Sequence, residues 1–75
     1  MNDTPNIQVG DEVGWQWLNG VAMGVVLEVH PTRHEIISKG AHVVRNGTPE
    51  DPAVVIRHTK GALVLKLAHE LQRLH

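Results

Sequence analysis

Residues 12–30 read EVGWQWLNGVAMGVVLEVH. Val13, Trp15 and Trp17 fall on one side of an extended chain, and Glu12, Gly14 and Gln16 fall on the other. That period of two marks a half-buried strand. Leu18-Asn19-Gly20 interrupts it, and an Asn-Gly pair between apolar runs signals a type I′ hairpin. Val21, Met23, Val25, Leu27 and Val29 then share one face of a long second strand, opposite Ala22, Gly24, Val26, Glu28 and His30. Gly24 removes a side chain midway, which suits a sharp bend or a close backbone crossing. Small barrels use such a bend so that one strand serves both halves of the sheet.

Working outward, residues 1–8 are polar and acidic and read as a flexible N-terminal tail, leaving residues 9–75 as a single domain. Val9-Gly10-Asp11 forms a turn, with Asp11 closing it. Downstream, Glu35-Ile36-Ile37 and Ala41 to Arg45 favour strand on either side of Ser38-Lys39-Gly40, a bulge or a turn. Asn46 to Pro52 is a loop, with two prolines and an Asn-Gly pair. Ala53 to His58 is a short apolar strand, Lys60-Gly61 a tight turn, and Ala62 to Lys66 the returning strand of a hairpin. Leu67, Leu71 and Leu74 recur at spacings of four and three, which predicts a helical turn of one or two turns. The fold expected is all-β: a small five-stranded SH3/Tudor-like barrel with a short C-terminal helical turn. Its core should hold Val13, Trp15, Val25, Leu27, Val43, Ile56 and Leu65, with Leu67 and Leu71 packing the terminal turn.

A chain of 75 residues is one domain and buries only ~60% of the surface its unfolded form exposes. Large apolar residues are therefore read first as structural. There is no cysteine, which excludes disulfides and thiolate metal sites and favours a cytoplasmic setting. No signal peptide or membrane span is legible, so no membrane partner is expected. Net charge is −1, which disfavours indiscriminate nucleic-acid binding. The charge is uneven, however: every Lys and Arg lies beyond residue 30. Cross-strand compensation accounts for that, and a basic patch for phosphates is the sharper alternative.

Three pieces in order resemble the hypervirulence-associated TUDOR-like domain family, a group of small bacterial and fungal domains. They are VGDEVGWQW…NGVAMGVVLEV (Val9 to Val29), VVRNGTPEDPAVVI (Val43 to Ile56) and GALVLKLAHEL (Gly61 to Leu71). The resemblance implies an SH3-like barrel and little about activity, since the family is named for its fold likeness. Where the family often carries an aromatic, this chain has Val54. With Trp15 and Trp17 and neither Phe nor Tyr, one chain cannot build the aromatic cage of Tudor-type methyl-lysine recognition.

Trp15, mid-strand on the inward face, is read as core. Trp17 ends the strand, so its ring belongs at a rim where it could stack a partner. Asn19, Arg45, Asn46, Asp51 and Arg57 complete the candidate ligand-binding surface, although an Asp before Pro also fixes loops. Of the six histidines, His30 and His34 flank a turn, and His42 and His58 are expected to face outward. None shows a recognised ligand spacing, so no metal or cofactor is expected. Ser38 and the threonines lack any nucleophile motif, so no catalytic residue is assigned. Three functions remain. The first is a non-enzymatic module binding a peptide or protein through Trp17 and the Asn46–Pro52 loop. The second is a KOW-like nucleic-acid module using Lys39, Arg45, Arg57, Lys66 and Trp17. The third is a structural or self-assembling domain.

Overall fold

The computed structural model describes residues 6–74. Seven strands and one 3-10 turn follow in order. They are β1 (Glu12–Trp17), β2 (Gly20–His30), β3 (Arg33–Ser38), β4 (Ala41–Asn46), β5 (Ala53–His58), β6 (Leu63–Leu67), the turn Ala68–Glu70, and β7 (Gln72–Arg73). The protein is all-β, as its alternation implies. Strand number and closure differ from the expected five-stranded barrel. A five-stranded antiparallel sheet runs β6-β5-β2-β1-β7, and β3-β4 forms a separate two-stranded sheet. No ladder joins the two sheets among the described residues. One extra strand is β7, and the other arises because Lys39-Gly40 is a turn that splits the expected third strand into β3 and β4. Both residues take positive φ (53° and 78°), as a two-residue primed hairpin turn demands. The first hairpin turns at Leu18-Asn19, one residue upstream of the expected Asn19-Gly20, because Trp17 pairs with Gly20. Leu18 accordingly carries the left-handed φ of 50°.

The inner face of β2 is the reverse of the one expected. Ala22, Gly24 and Val26 are buried, whereas Val21, Met23 and Val25 are exposed, Val25 by 41%. The reason is volume. Trp15 lies directly opposite Ala22, and Val13 opposite Gly24, so large side chains on β1 meet small ones on β2. A Cβ on Gly24 would lie 2.6 Å from Ile56 Cγ2 and would also strike the Arg57 carbonyl. Only glycine fits there, which bears out the close crossing read from the sequence. A bulge between Val26 and Glu28 then resets the alternation, because one extra residue turns the side chains over. Leu27 packs against a second cluster, and Val29 rejoins the first because of the shift.

Strand β5 is buried at four consecutive positions, Ala53 to Ile56, so both its faces are covered. Val54 and Ile56 join Val13, Trp15, Ala22, Val26, Ala68 and Leu71 in the main cluster. Ala53 and Val55 join Leu65 in the second, with Ile36 and Val43 of the β3–β4 hairpin packed on it. Ser38 Oγ donates to the Leu63 carbonyl at 2.7 Å and ties that hairpin to β6. Ile7, within the expected tail, is 6% exposed and belongs to the main cluster. Residues 1–5 of that tail and His75 lie outside the described residues. The turn after Gln8 closes as expected, with the Gln8 amide donating to Asp11 Oδ2 at 2.9 Å.

The C-terminal helical segment, Ala68–Glu70, is at the short end of the expected one or two turns. It makes one turn, and Leu71 is then extended (φ −109°, ψ 153°). The chain leaves the helix because the open edge of β1 takes it up: Gln72 and Arg73 pair with Gly14 and Val13. Ala68 and Leu71 are buried, and Leu74 is largely exposed.

On the outer face of the β3–β4 hairpin, Glu35 pairs with Arg33 and with His42, the latter at 2.6 Å. The His42 hydrogen bond first, and Arg33 second, hold the Glu35 carboxyl below its ordinary value. A depressed carboxyl stabilises the fold above its unfolded value, and that contribution fades as pH falls through the lowered folded value. An NMR titration of Glu35 should therefore show its midpoint moving upward in His42→Ala. Denaturant melts should separate the two tryptophans. Trp15→Ala should lose ~3–5 kcal/mol, whereas Trp17→Ala should stay within ~0.5 kcal/mol. Gly24→Ala should lose ~1–3 kcal/mol by overpacking against β5.

Candidate functional site

The β3–β4 hairpin and the β5–β6 hairpin leave a groove of about 750 Å³ that opens beside Trp17. Its floor is formed by Trp15, Ile36, Val43, Val64 and Leu65, all buried or half-buried. Around its mouth stand Trp17, Lys39, Arg45, Lys60 and Lys66. No carboxylate lines the groove among the described residues. One approaches from outside it: Glu70 Oε1 lies 3.5 Å from Arg45 Nε and accepts the Leu67 amide at 2.8 Å. The groove therefore couples an apolar floor to a rim of one charge sign.

Each wall follows from local sequence. Trp15 and Trp17 alternate on the same face of β1, but β2 begins opposite Trp17 with Gly20. No side chain covers the Trp17 ring from that strand, and the residue is 58% exposed. Lys39 is carried out by its primed turn. Arg45 shares the inner face of its hairpin with Val43 and, across the ladder, Ile36. Lys60 sits in the β5–β6 turn, where its amide donates to His58 Nδ1 at 2.9 Å. Nδ1 of the His58 ring is the acceptor of this turn. That ring meets Trp15 edge-on, with centroids 5.8 Å apart and planes at 74°. The expected outward orientation of His58 is corrected by this contact.

Of the residues singled out in the sequence, Trp17 and Arg45 line the groove, as do Lys39 and Lys66 of the nucleic-acid set. Arg57 does not line it; it lies between Val25 and Leu63 in the ladder, exposed. Asn19 is exposed in the β1–β2 turn, and Asn46 is exposed at the end of β4. Asp51 has structural work: it accepts the His69 amide at 2.8 Å and contacts His69 Nδ1 at 2.6 Å. The Ala68 amide donates to the Pro52 carbonyl at 2.9 Å, so the loop is fastened to the terminal turn. Pro49, Glu50 and Pro52 border a different concavity of about 400 Å³ with Ile7, Val29 and Pro31. Trp17 and this loop are therefore not brought together. In the sequence Lys60 reads only as part of a turn and His58 as outward-facing, and neither is assigned to a binding surface. The only signal for them was their position beside a Lys-Gly turn, which does not say which way the turn leans.

No helix among the described residues is long and apolar enough to cross a membrane. No curated protein and no solved structure matches the chain. A family model described as the TUDOR domain of hypervirulence-associated proteins matches residues 10–71. The match runs from the Gly10 turn, through both groove hairpins, to the buried Leu71. The chain belongs to the hypervirulence-associated protein TUDOR domain family.

Proposed function

We propose that this domain is a non-enzymatic binding module that holds an extended segment of a partner protein in the Trp17 groove. The segment best suited combines apolar and acidic side chains. One observation carries the reading: an apolar floor is ringed by Lys39, Arg45, Lys60 and Lys66, with no lining carboxylate among the described residues. Apolar side chains of a partner would fill the floor, and acidic ones would meet the rim. Family membership supports a binding role of this general kind. The two-sheet arrangement fits a small SH3-like barrel with the β3–β4 hairpin as its second half, and the lack of cysteine suits a cytoplasmic setting.

The second reading, single-stranded nucleic acid, draws on the same cations together with the exposed Trp17. It is less favoured because the other tryptophan is buried at 5% exposure, leaving one aromatic platform where strand binders use several. Net charge of −1 also gives little long-range attraction for a phosphate polymer.

Binding of an acidic-apolar peptide and of a short single-stranded RNA should be compared by tryptophan fluorescence at two salt concentrations. The peptide should bind more tightly. Trp17→Ala should weaken it by about 30-fold, the scale of a hot-spot residue. Lys60→Glu should weaken it as well, and Arg57→Glu, outside the groove, should leave it unchanged. Tighter RNA binding that falls steeply with salt would replace the peptide reading with the nucleic-acid one. Binding insensitive to Trp17 and Lys60 would remove the groove from the account.

A further inference from the structure

At the opposite end of β2 from the Trp17 turn, three side chains with metal-ligating atoms converge. Glu28 and His30 are two residues apart on β2, and His34 returns to them across the Pro31-Thr32 turn at the start of β3. The two imidazoles lie flat on each other, with centroids 3.7 Å apart and planes within 9°. Glu28 Oε1 is 2.6 Å from His30 Nε2 and 3.7 Å from His34 Nε2. One ligand atom from each residue lies within 4.8 Å of the other two. We propose that Glu28, His30 and His34 form a three-ligand site for a divalent transition-metal ion such as zinc.

The separations of the ligand atoms are close to what such an ion requires. Metal–ligand bonds of about 2.0–2.1 Å in tetrahedral array place ligand atoms about 3.4 Å apart. The two measured separations bracket that value. Rotation of the three solvent-accessible side chains, opening the parallel ring stack so that both imidazole nitrogens face one ion, would equalise them. One carboxylate oxygen cannot serve both imidazoles equally, as the 2.6 and 3.7 Å distances show. A cation between the three satisfies all of them at once.

The backbone beneath the site is held in place. His30 pairs with Ala53 on β5, and His34 pairs with Arg45 on β4. Gly47 packs under the turn so closely that a Cβ there would lie 2.6 Å from the His30 carbonyl and 2.8 Å from that of Thr32. The neighbouring cations are engaged by other carboxylates, Arg45 with Glu70 and Arg33 with Glu35. The remaining histidine–carboxylate pairs, His42–Glu35 and His69–Asp51, offer two ligands each. Three protein ligands leave a fourth position for water or for a side chain of a bound partner. The ion would also clamp the β2–β3 connection, since it bridges both strands.

The test is isothermal titration of the full chain with zinc chloride at neutral pH, beside thermal melts and imidazole NMR spectra. One equivalent should bind, raise the melting temperature and shift the His30 and His34 ring signals. His30→Gln and His34→Gln should each weaken binding at least tenfold, and Glu28→Gln should weaken it as well. His42→Gln together with His69→Gln should leave binding unchanged. Amide spectra of each variant will confirm that it remains folded. Saturable binding that survives His30→Gln/His34→Gln, or no binding at all in the folded wild type, would overturn the proposal.

Discussion

The fit of large side chains on β1 and β5 against small ones on β2 governs the rest of the molecule. Trp15 over Ala22, and Ile56 against Gly24, leave no room for a bulky residue on the inner face of β2. The valines and the methionine of that strand must turn outward, and Val26 is the first inner residue large enough to fill space. Leu27, on the opposite face from Val26, gives Ala53, Val55 and Leu65 their partner from β2 and the β3–β4 hairpin its foundation, and the bulge at Leu27 returns Val29 to the first cluster.

That foundation is what makes a groove possible. The hairpin rests on the second cluster through Ile36 and Val43 and is pinned to β6 through Ser38. Its inner face leans toward the β5–β6 hairpin without pairing to it. Packing without a closing ladder leaves an opening whose floor is the edge of both cores. Charged residues fill the mouth because Lys39 and Lys60 occupy tight turns, where long cationic side chains reach solvent easily. The groove is thus a by-product of packing that acquires its chemistry from turn composition. The histidine cluster has a different origin. It depends on the Pro31-Thr32 turn reversing the chain and on Gly47 permitting the loop beneath to approach.

Much of the fold was legible because strand signals here are local. The β1 alternation, the bounds of β5 and the Asn46–Pro52 loop all follow from short-range pattern. The inner face of β2 was not legible, since both of its faces are apolar and periodicity alone cannot choose between them. Size would have chosen, but only once Trp15 was known to lie opposite Ala22. The terminal strand was hidden for a related reason: the helical leucine spacing is real for one turn, and the edge of β1 then takes over. Trp17 stood out at the end of a strand, and the structure places it at the groove mouth. Asp51 and Arg57 were chosen by residue type, which carries no information about whether a neighbouring His69 or an outward ladder position will claim them.

We infer that the Trp17 groove is the surface at which this domain meets its partner. Amide-resolved NMR during titration with an acidic-apolar peptide tests it most directly. Shifts should gather at Trp17, Lys39, Arg45, Lys60 and Lys66, together with the Trp17 indole. Shifts confined to the outer face of β2, at Val21, Met23 and Val25, would contradict it and make that exposed apolar strip the working surface instead.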